Sequence, residues 1–295
     1  MGIAKRIILF FAVNALVIVT ISIVMGLLGV QPYLTSKGID YQSLMVFCLV
    51  WGFGGAFISL GLSRIMAKWM MGVKVIDDNT LDPNERWLIS TVKQLSEKAG
   101  LPQTPQVGMY ESDDPNAFAT GPTKSRALVA VSSGLMRRMN RGELEAVLAH
   151  EVAHVANGDM VTMTLLQGVI NAFVMFFARV LAWTASQFFD EEKRGVVNFI
   201  TVLVLEVAFS ILGMIVVAAF SRYREFRADS GAADLVGKVK MSAALASLQK
   251  MIHVEDDQQS ALAALKISSN TKSGFVALFS THPPLTERIR RLNAV

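Results

Sequence analysis

Four long apolar runs, separated by polar segments, dominate the hydropathy pattern of the chain. They cover about residues 7–30, 43–62, 161–189 and 196–220, and each has the roughly 20 residues that an α-helix needs to cross a bilayer. The first run is uncharged and no small-residue cleavage site closes it, so we interpret it as a retained span rather than a signal peptide. The pattern predicts a membrane protein with two helical hairpins.

The polar segment between the two hairpins carries the mixed signals of an α+β domain. Turn formers, helix caps and short apolar runs alternate along it. They predict, in chain order, a helix between Asp82 and Gly100, a strand over 106–110, an extended segment over 116–121, a strand over 127–131, and a helix from the capping box Asn140/Glu143 to Gly158.

The chain after the second hairpin is polar again. Ser221–Asp229 is strongly polar and a helical run follows it, whereas the cluster Glu255–Gln259 is interpreted as a loop. A short basic helix over Leu285–Leu292 ends the chain.

These elements predict a mainly α membrane protein. Its four transmembrane helices are joined to one α+β domain with a small sheet, and that domain is divided by the second hairpin. The predicted segments are an N-terminal hairpin (1–63), a first domain part (64–159), a second hairpin (160–220) and a second domain part (221–295).

Charged residues at the ends of the first two runs predict the orientation of the chain. Lys5 and Arg6 precede the first run, and Arg64 and Lys68 follow the second, whereas the loop between the runs carries a single lysine. Because cytoplasmic flanks are enriched in Lys and Arg, we place the N-terminus and the α+β domain in the cytoplasm.

Two charges lie inside the apolar runs of the second hairpin. Arg179 and Glu206 lie at matching depth on either side of a polar turn predicted at Asp190–Gly195. A charge in hydrocarbon is unfavourable and usually has a partner, so our hypothesis is that these two residues pair. Proton relay is the alternative, but no chain of further ionisable residues accompanies them.

Composition excludes two further classes. The 295 residues carry 28 Lys and Arg against 24 Asp and Glu, without a basic stripe interleaved with aromatic residues, so nucleic acid is excluded as a partner. The single cysteine, Cys48, excludes an intramolecular disulfide. The mean hydropathy of +0.43 is explained by the four apolar runs, and the lipid bilayer is the predicted partner.

The helix predicted to end at Gly158 contains the run His150-Glu151-Val152-Ala153-His154. Two histidines four residues apart lie on one helix face, where both can bind one metal ion. This is the spacing of zinc peptidases, in which the intervening Glu is the general base. Since the chain has only four histidines, an incidental pair is the weaker interpretation.

A catalytic zinc ion needs a third protein ligand. The histidine of metzincins is absent at Met160, no carboxylate lies about twenty residues beyond the motif, and Asp159 follows the helix end too closely to be the first choice. Glu225 is the first carboxylate after the second hairpin, so we predict it as the third ligand. Asp229, one turn later, would accept a hydrogen bond from a ligating imidazole. The alternative is an ordinary ion pair of Glu225 with a neighbouring arginine.

His282 and Arg288 are candidates for a further role near the C-terminus. The oxyanion formed in peptide hydrolysis needs positive or hydrogen-bonding partners, which both side chains offer. The alternative, that His282 merely precedes the last helix while Arg288 is solvated, stays open from the residues alone. Neither His253 nor His282 completes a second Glu-x-x-His unit, which excludes a carboxylate-bridged di-iron bundle.

Together the motifs resemble the HtpX family of bacterial membrane-bound zinc endopeptidases, gluzincins related to the type I CAAX prenyl protease. The resemblance covers nearly the whole chain. It rests on Asn116–Gly121, His150–Gly158, Ser221–Asp229 and Thr281–Pro284.

The resemblance implies a zincin-like catalytic domain and a role for each motif. One zinc ion per chain is held by His150, His154 and Glu225, and Glu151 is the catalytic base. His282 and Arg288 stabilise the transition state. The segment with Asn116, Ala117 and Phe118 is an edge strand that pairs with the substrate backbone.

The resemblance also implies a biological role. The protein would hydrolyse misfolded or damaged membrane proteins on the cytoplasmic side of the bacterial plasma (inner) membrane, in quality control and stress response, alongside other membrane quality-control proteases. One alternative is a processing protease for lipid-modified C-termini. Another is an inactive zinc-stabilised scaffold, against which the intact Glu151 argues, because a structural zinc site needs a fourth ligand and no base.

Overall fold

The computed structural model describes residues 15, 17–29, 32–35, 38–259 and 277–294, with the backbone alone for 252–259. The chain forms two compact units. One contains residues 1–60 and 162–217, and the other contains residues 61–161 and 218–295. The assignment of the four predicted segments to membrane and catalytic domains stays a prediction.

Among the described residues, three helices are long and apolar enough to cross a membrane: α2 (Tyr41–Met70), α6 (Asp159–Ser186) and α7 (Glu191–Val236). They contain the predicted spans at 43–62 and 196–220, and the span predicted at 161–189 up to Ser186. A shorter apolar helix, α1 (Val17–Leu27), covers part of the span predicted at 7–30. Residues 7–14, 16 and 30 of that span lie outside the described residues. Strands β1 (Leu34–Thr35) and β2 (Gly38–Ile39) pair between α1 and α2.

The boundaries of α7 differ from the prediction. A turn was predicted at Asp190–Gly195, but α7 already begins at Glu191, and residues 187–190 make the connection. Acidic side chains at Glu191 and Glu192 favour a helix start, because they complement the partial positive charge of the N-terminus. The helix also continues unbroken through the polar Ser221–Asp229, which contains no glycine or proline.

Arg179 and Glu206 form the ion pair that their matching depth predicted. Arg179 Nη1 donates to Glu206 Oε1 over 2.5 Å, and the guanidinium lies over the Phe47 ring at 5.4 Å from its centroid. The pair joins α6 to α7 and the cation–π contact joins α6 to α2, so the charge is compensated within this unit.

Gly52 allows α2 and α6 to approach closely. A Cβ at this position would lie 2.7 Å from the Ala172 nitrogen and 2.8 Å from the Gly168 oxygen. We expect Gly52→Val to push the helices apart and destabilise the detergent-solubilised protein by about 1–3 kcal/mol, measured as a lower thermal unfolding midpoint. Gly55→Val is the matched control, since a Cβ on Gly55 meets no described atom within 4 Å. Equal midpoints for the two variants would contradict the packing role of Gly52.

The second unit combines a four-stranded sheet with five α-helices and one 3₁₀ turn among its described residues, apart from the parts of α2, α6 and α7 that belong to it. All five elements predicted for 82–158 are confirmed. In chain order, the described elements of the whole second unit are β3 (Lys74–Val75), α3 (Pro83–Lys98), β4 (Gln106–Tyr110), β5 (Ala117–Thr120), a 3₁₀ turn (Lys124–Arg126), β6 (Leu128–Ser132), α4 (Ser133–Arg138), α5 (Arg141–Asn157), α8 (Lys238–Gln259) and α9 (Leu285–Ala294).

The prediction of a loop at Glu255–Gln259 was wrong, because α8 extends to Gln259. Glu and Gln are good helix formers. A polar cluster therefore marks a helix end as readily as a loop.

The sheet has the strand order β3-β4-β6-β5. β4 and β6 are parallel, whereas β5 is antiparallel to β6 and forms an edge of the sheet. The apolar sides of β6 and the helices share one core, to which Leu88, Val92, Val129, Val131, Leu148, Val152, Met241, Leu245 and Leu292 contribute. Because α5 belongs to this core along its length, its remaining face is fixed in place.

Candidate metal centre

The two motif histidines lie on the polar face of α5, which the core holds rigidly. The capping box predicted at Asn140 is present, with Asn140 accepting from the Glu143 N–H and Glu143 accepting from the Asn140 N–H. His150 and His154 follow one turn apart, and their Nε2 atoms face each other at 3.1 Å. Both side chains are buried.

Glu225 of α7 meets both imidazoles. Its Oε2 lies 3.4 Å from His150 Nε2 and its Oε1 lies 3.3 Å from His154 Nε2, although 71 residues separate Glu225 from His154. The side chain is almost completely buried. Its contact with Arg224 is long, at 4.0 Å, so the ordinary ion pair considered from the sequence does not account for its position.

Each imidazole also contacts a separate carboxylate through its Nδ1 atom. Asp229 Oδ1 lies 3.0 Å from His150 Nδ1, and Asp159 Oδ2 lies 2.6 Å from His154 Nδ1. If each Nδ1 carries the hydrogen that it donates to its carboxylate, the neutral ring presents a lone pair at Nε2. Two lone pairs and the Glu225 carboxylate then face one point.

This arrangement fits a zinc ion. Ligand atoms placed tetrahedrally at about 2.0–2.1 Å from zinc lie roughly 3.3–3.4 Å apart, close to the 3.1, 3.3 and 3.4 Å separations here. Glu225 Oε2 is also buried without a well-directed hydrogen bond from any described group. Three electron-rich atoms of this kind need a cation between them, and nitrogen with carboxylate oxygen is a donor set that zinc prefers.

His282 and Arg288 also reach this cluster, in different ways. His282 Nδ1 lies 3.0 Å from Glu225 Oε2, with its side chain 66% exposed. Arg288 is buried and binds Asp229 through two hydrogen bonds of 2.6 and 2.8 Å, with Nη1 3.5 Å from Glu225 Oε2. Its guanidinium therefore holds Asp229 against His150. A direct role of either residue in the transition state stays a prediction.

The edge strand β5 adjoins the motif glutamate. The Ala119 N–H donates to the Glu151 carboxylate. The Asn116 carbonyl accepts from the Ser132 N–H, and hydrogen-bonded pairs alternate along an antiparallel ladder. The backbone groups of Ala117 and Ala119 therefore point away from β6, and those of Phe118 point towards it.

Comparison with known proteins identifies the family. The profile of Peptidase family M48 matches residues 82–295. The chain is 53% identical over 298 residues to "Protease HtpX homolog" of Bacillus velezensis, covering 99% of each protein. It is 49% identical over 295 residues to "Protease HtpX" of Thioalkalivibrio sulfidiphilus, again covering 99% of each. The chain belongs to peptidase family M48.

Membership of M48 confirms the resemblance stated from the motifs. The M48 peptidases are metal-dependent enzymes, and the chain is a membrane metalloprotease. The crystal structure of S. mikatae Ste24p has a similar fold, with a TM-score of 0.65 at 17% sequence identity. That similarity covers 98% of this chain and 65% of the Ste24p chain, so this M48 protein spans less than two thirds of that structure.

The carboxylates around the motif shift the pKa values of the metal-free site. Burial lowers the pKa of His154, but hydrogen bonds with Asp159 and Glu225 outweigh burial and raise it to about 9. Burial raises the pKa of the Glu151 carboxyl, against the opposing effect of the two imidazoles. In the metal-free protein a proton on His154 thus supplies the positive charge that the cluster needs, and a metal ion must displace it.

Sequence reasoning missed two residues of this M48 site. Asp159 was set aside as a ligand, and its contact with His154 was not foreseen. Arg222, one turn before Glu225, was considered only as an ion-pair partner. Its Nη1 donates to the carbonyls of Ser280 at 2.7 Å and Leu278 at 3.1 Å, and Ser280 Oγ donates to the His282 carbonyl.

Arg222→Ala is expected to lower proteolysis about tenfold, because charge-assisted hydrogen bonds that contribute roughly 1.5–3 kcal/mol each would no longer hold the segment before His282. Zinc content should be unchanged, since the variant keeps His150, His154 and Glu225, the three groups that could hold the metal. Cleavage rate and bound zinc are measured on one preparation. Arg290→Ala, which removes an exposed arginine paired with Glu287, is the control. A full cleavage rate in Arg222→Ala would contradict the positioning role.

Proposed function

We propose that the protein is a zinc metalloendopeptidase in which His150, His154 and Glu225 hold one zinc ion and Glu151 is the general base. The observation that carries the proposal is the convergence of the three buried groups at zinc-like separations. Glu151 follows His150 directly and completes the motif.

The chain's own residues supply the proton transfers. Zinc, when bound, activates water and polarises the scissile carbonyl. Glu151 accepts the proton of the attacking water and passes it to the leaving amine. The raised pKa of its carboxyl strengthens Glu151 as a base and favours the first of these steps. His282 is exposed enough to donate to the developing oxyanion, and Arg288 keeps the charge of Asp229 compensated.

We also propose that β5 binds the substrate as an added strand. The free edge offers the backbone N–H and carbonyl of Ala117, two residues before Ala119, whose N–H interacts with Glu151. Asn116 and Phe118 use backbone groups for pairing with β6, so they would contribute side chains. Recognition through the backbone tolerates many sequences and requires an extended chain, which suits misfolded membrane proteins as substrates.

The proposed location is the bacterial inner membrane, with the catalytic residues on the cytoplasmic side. Three apolar helices support a multi-pass protein, and the basic flanks Lys5, Arg6, Arg64 and Lys68 support the orientation. Relatives named as HtpX proteases support proteolysis, and the role proposed for it is membrane protein quality control under stress, alongside other membrane proteases.

The test uses the full chain purified in detergent, with β-casein as an unfolded probe and a farnesylated peptide as a second probe. We expect cleavage of casein that stops with 1,10-phenanthroline and returns when zinc is added back. Cleavage that continues after metal removal would contradict the proposal. Cleavage of the farnesylated peptide alone would instead favour a protease for lipid-modified C-termini.

A further inference from the structure

Asp159 is a buried carboxylate that the proposed mechanism does not use. Its side chain is 2% exposed to solvent, and its Oδ2 lies 2.6 Å from His154 Nδ1. It is the first residue of α6. An acidic residue in a first turn stabilises a helix through the dipole alone, but that effect does not require burial against an imidazole.

The turn at Gly158 brings Asp159 to His154. Residues five apart on one continuous helix lie about 140° from each other around the axis, at 3.6 residues per turn, and do not share a face. Gly158 ends α5 in the left-handed conformation, with φ 70° and ψ 29°, and redirects the chain so that the Asp159 carboxylate faces back to His154. Non-glycine residues rarely adopt this conformation.

Asp229 and Asp159, the carboxylates that contact the two imidazoles at Nδ1, differ in whether a neighbouring cation balances their negative charge. Asp229 is bound by both Nη2 and Nε of Arg288, so much of its charge is neutralised. Among the described residues, no arginine or lysine forms such a pair with Asp159. A buried carboxylate without a cation is unfavourable, and the group in contact with Asp159 is the ring of a proposed zinc ligand.

We propose that Asp159 is a positioning residue for the zinc ligand His154. It fixes the tautomer with hydrogen on Nδ1, orients the ring, and strengthens Nε2 as a donor to the metal. The inference rests on the proposed zinc site and adds a residue to it. Because Asp159 begins α6, a single hydrogen bond joins the metal site to the start of an apolar helix.

The test measures zinc affinity of the full chain in detergent by competition with a chromogenic chelator. We expect Asp159→Ala to bind zinc about 10- to 100-fold more weakly than wild type. Asp159→Asn retains a hydrogen-bond acceptor without the charge, and its affinity should lie between the two. In cobalt-substituted protein, the visible d–d bands should change in Asp159→Ala. Asp190→Ala is the matched control, because Asp190 is exposed and directly precedes α7; its zinc affinity should equal that of wild type.

Thermal unfolding of the metal-free variants separates positioning from a merely structural role. A lower midpoint with unchanged zinc affinity in Asp159→Ala would overturn the inference. If Asp159→Ala does not fold, Asp159→Asn decides: weaker binding supports the inference and wild-type affinity overturns it. Absence of zinc binding in the wild type would overturn the proposed function itself, which keeps the two failures distinct.

Discussion

Glu151→Gln is expected to abolish proteolysis and leave zinc binding intact. Glutamine has the size of glutamate, but its amide does not accept the proton of the attacking water. Loss of a general base lowers rates by about 100- to 10,000-fold. The three converging groups are His150, His154 and Glu225, so the metal site keeps all its proposed ligands. Casein cleavage and bound zinc, measured on the same preparation, test both parts.

Glu145→Gln is the control for this variant. Glu145 lies on the same helix and pairs with Lys240 at the surface, 2.7 Å away, so its loss should change neither quantity. A Glu151→Gln protein with cleavage near the wild-type rate would contradict the base role. Wild-type protein that binds zinc but cleaves nothing would favour the inactive scaffold.

The five elements predicted over residues 82–158 could be recognised because their signals are local. Asp82 caps α3 by accepting from the N–H groups of Asn84 and Glu85, and Asn140 with Glu143 closes its capping box. Both devices operate within four residues, where the side chain and the backbone it caps are close in sequence. The wrong boundaries, at Glu191 and Gln259, both lie where charge was interpreted as loop although the same residues favour helix.

Only part of the candidate site could be predicted, from the spacing of the histidines and from the exclusion of other candidate ligands. His150 and His154 are fixed by the helical period, and Glu225 was predicted because it is the first carboxylate after the second hairpin. The contact of Arg288 with Asp229 joins positions 59 residues apart, and no periodicity connects them. Arg288 was predicted to act on the transition state, whereas its two hydrogen bonds favour a role in holding Asp229.

Asp159 illustrates a different limit. From the sequence it was judged as a possible ligand, by its distance from a helix end, and rejected. The relevant question was the direction of the chain after Gly158, because a left-handed residue turns the next side chain back over the last helical turn. The sequence signal, a glycine followed by aspartate directly after the motif helix, is present but has no unique geometric consequence.

Glu225→Gln is the second variant with a large expected effect. Loss of an outer hydrogen-bond partner weakens zinc binding by about 10- to 100-fold, and loss of the only charged ligand should exceed that range. The amide oxygen is a neutral and weaker donor, so the zinc charge would stay uncompensated in a buried site. Chelator competition measures the affinity, and Glu97→Gln, an exposed carboxylate on α3, is the control.

The comparison of Glu225→Gln with Glu151→Gln is sharper than either result alone. Both variants replace one carboxylate by an amide of equal size in the same pocket, so general effects of lost charge are matched. We expect Glu225→Gln to lose zinc and activity together, and Glu151→Gln to lose activity alone. Zinc retained at wild-type affinity by Glu225→Gln would mean that Glu225 is not a ligand, and that its contacts with the two imidazoles serve the metal-free fold instead.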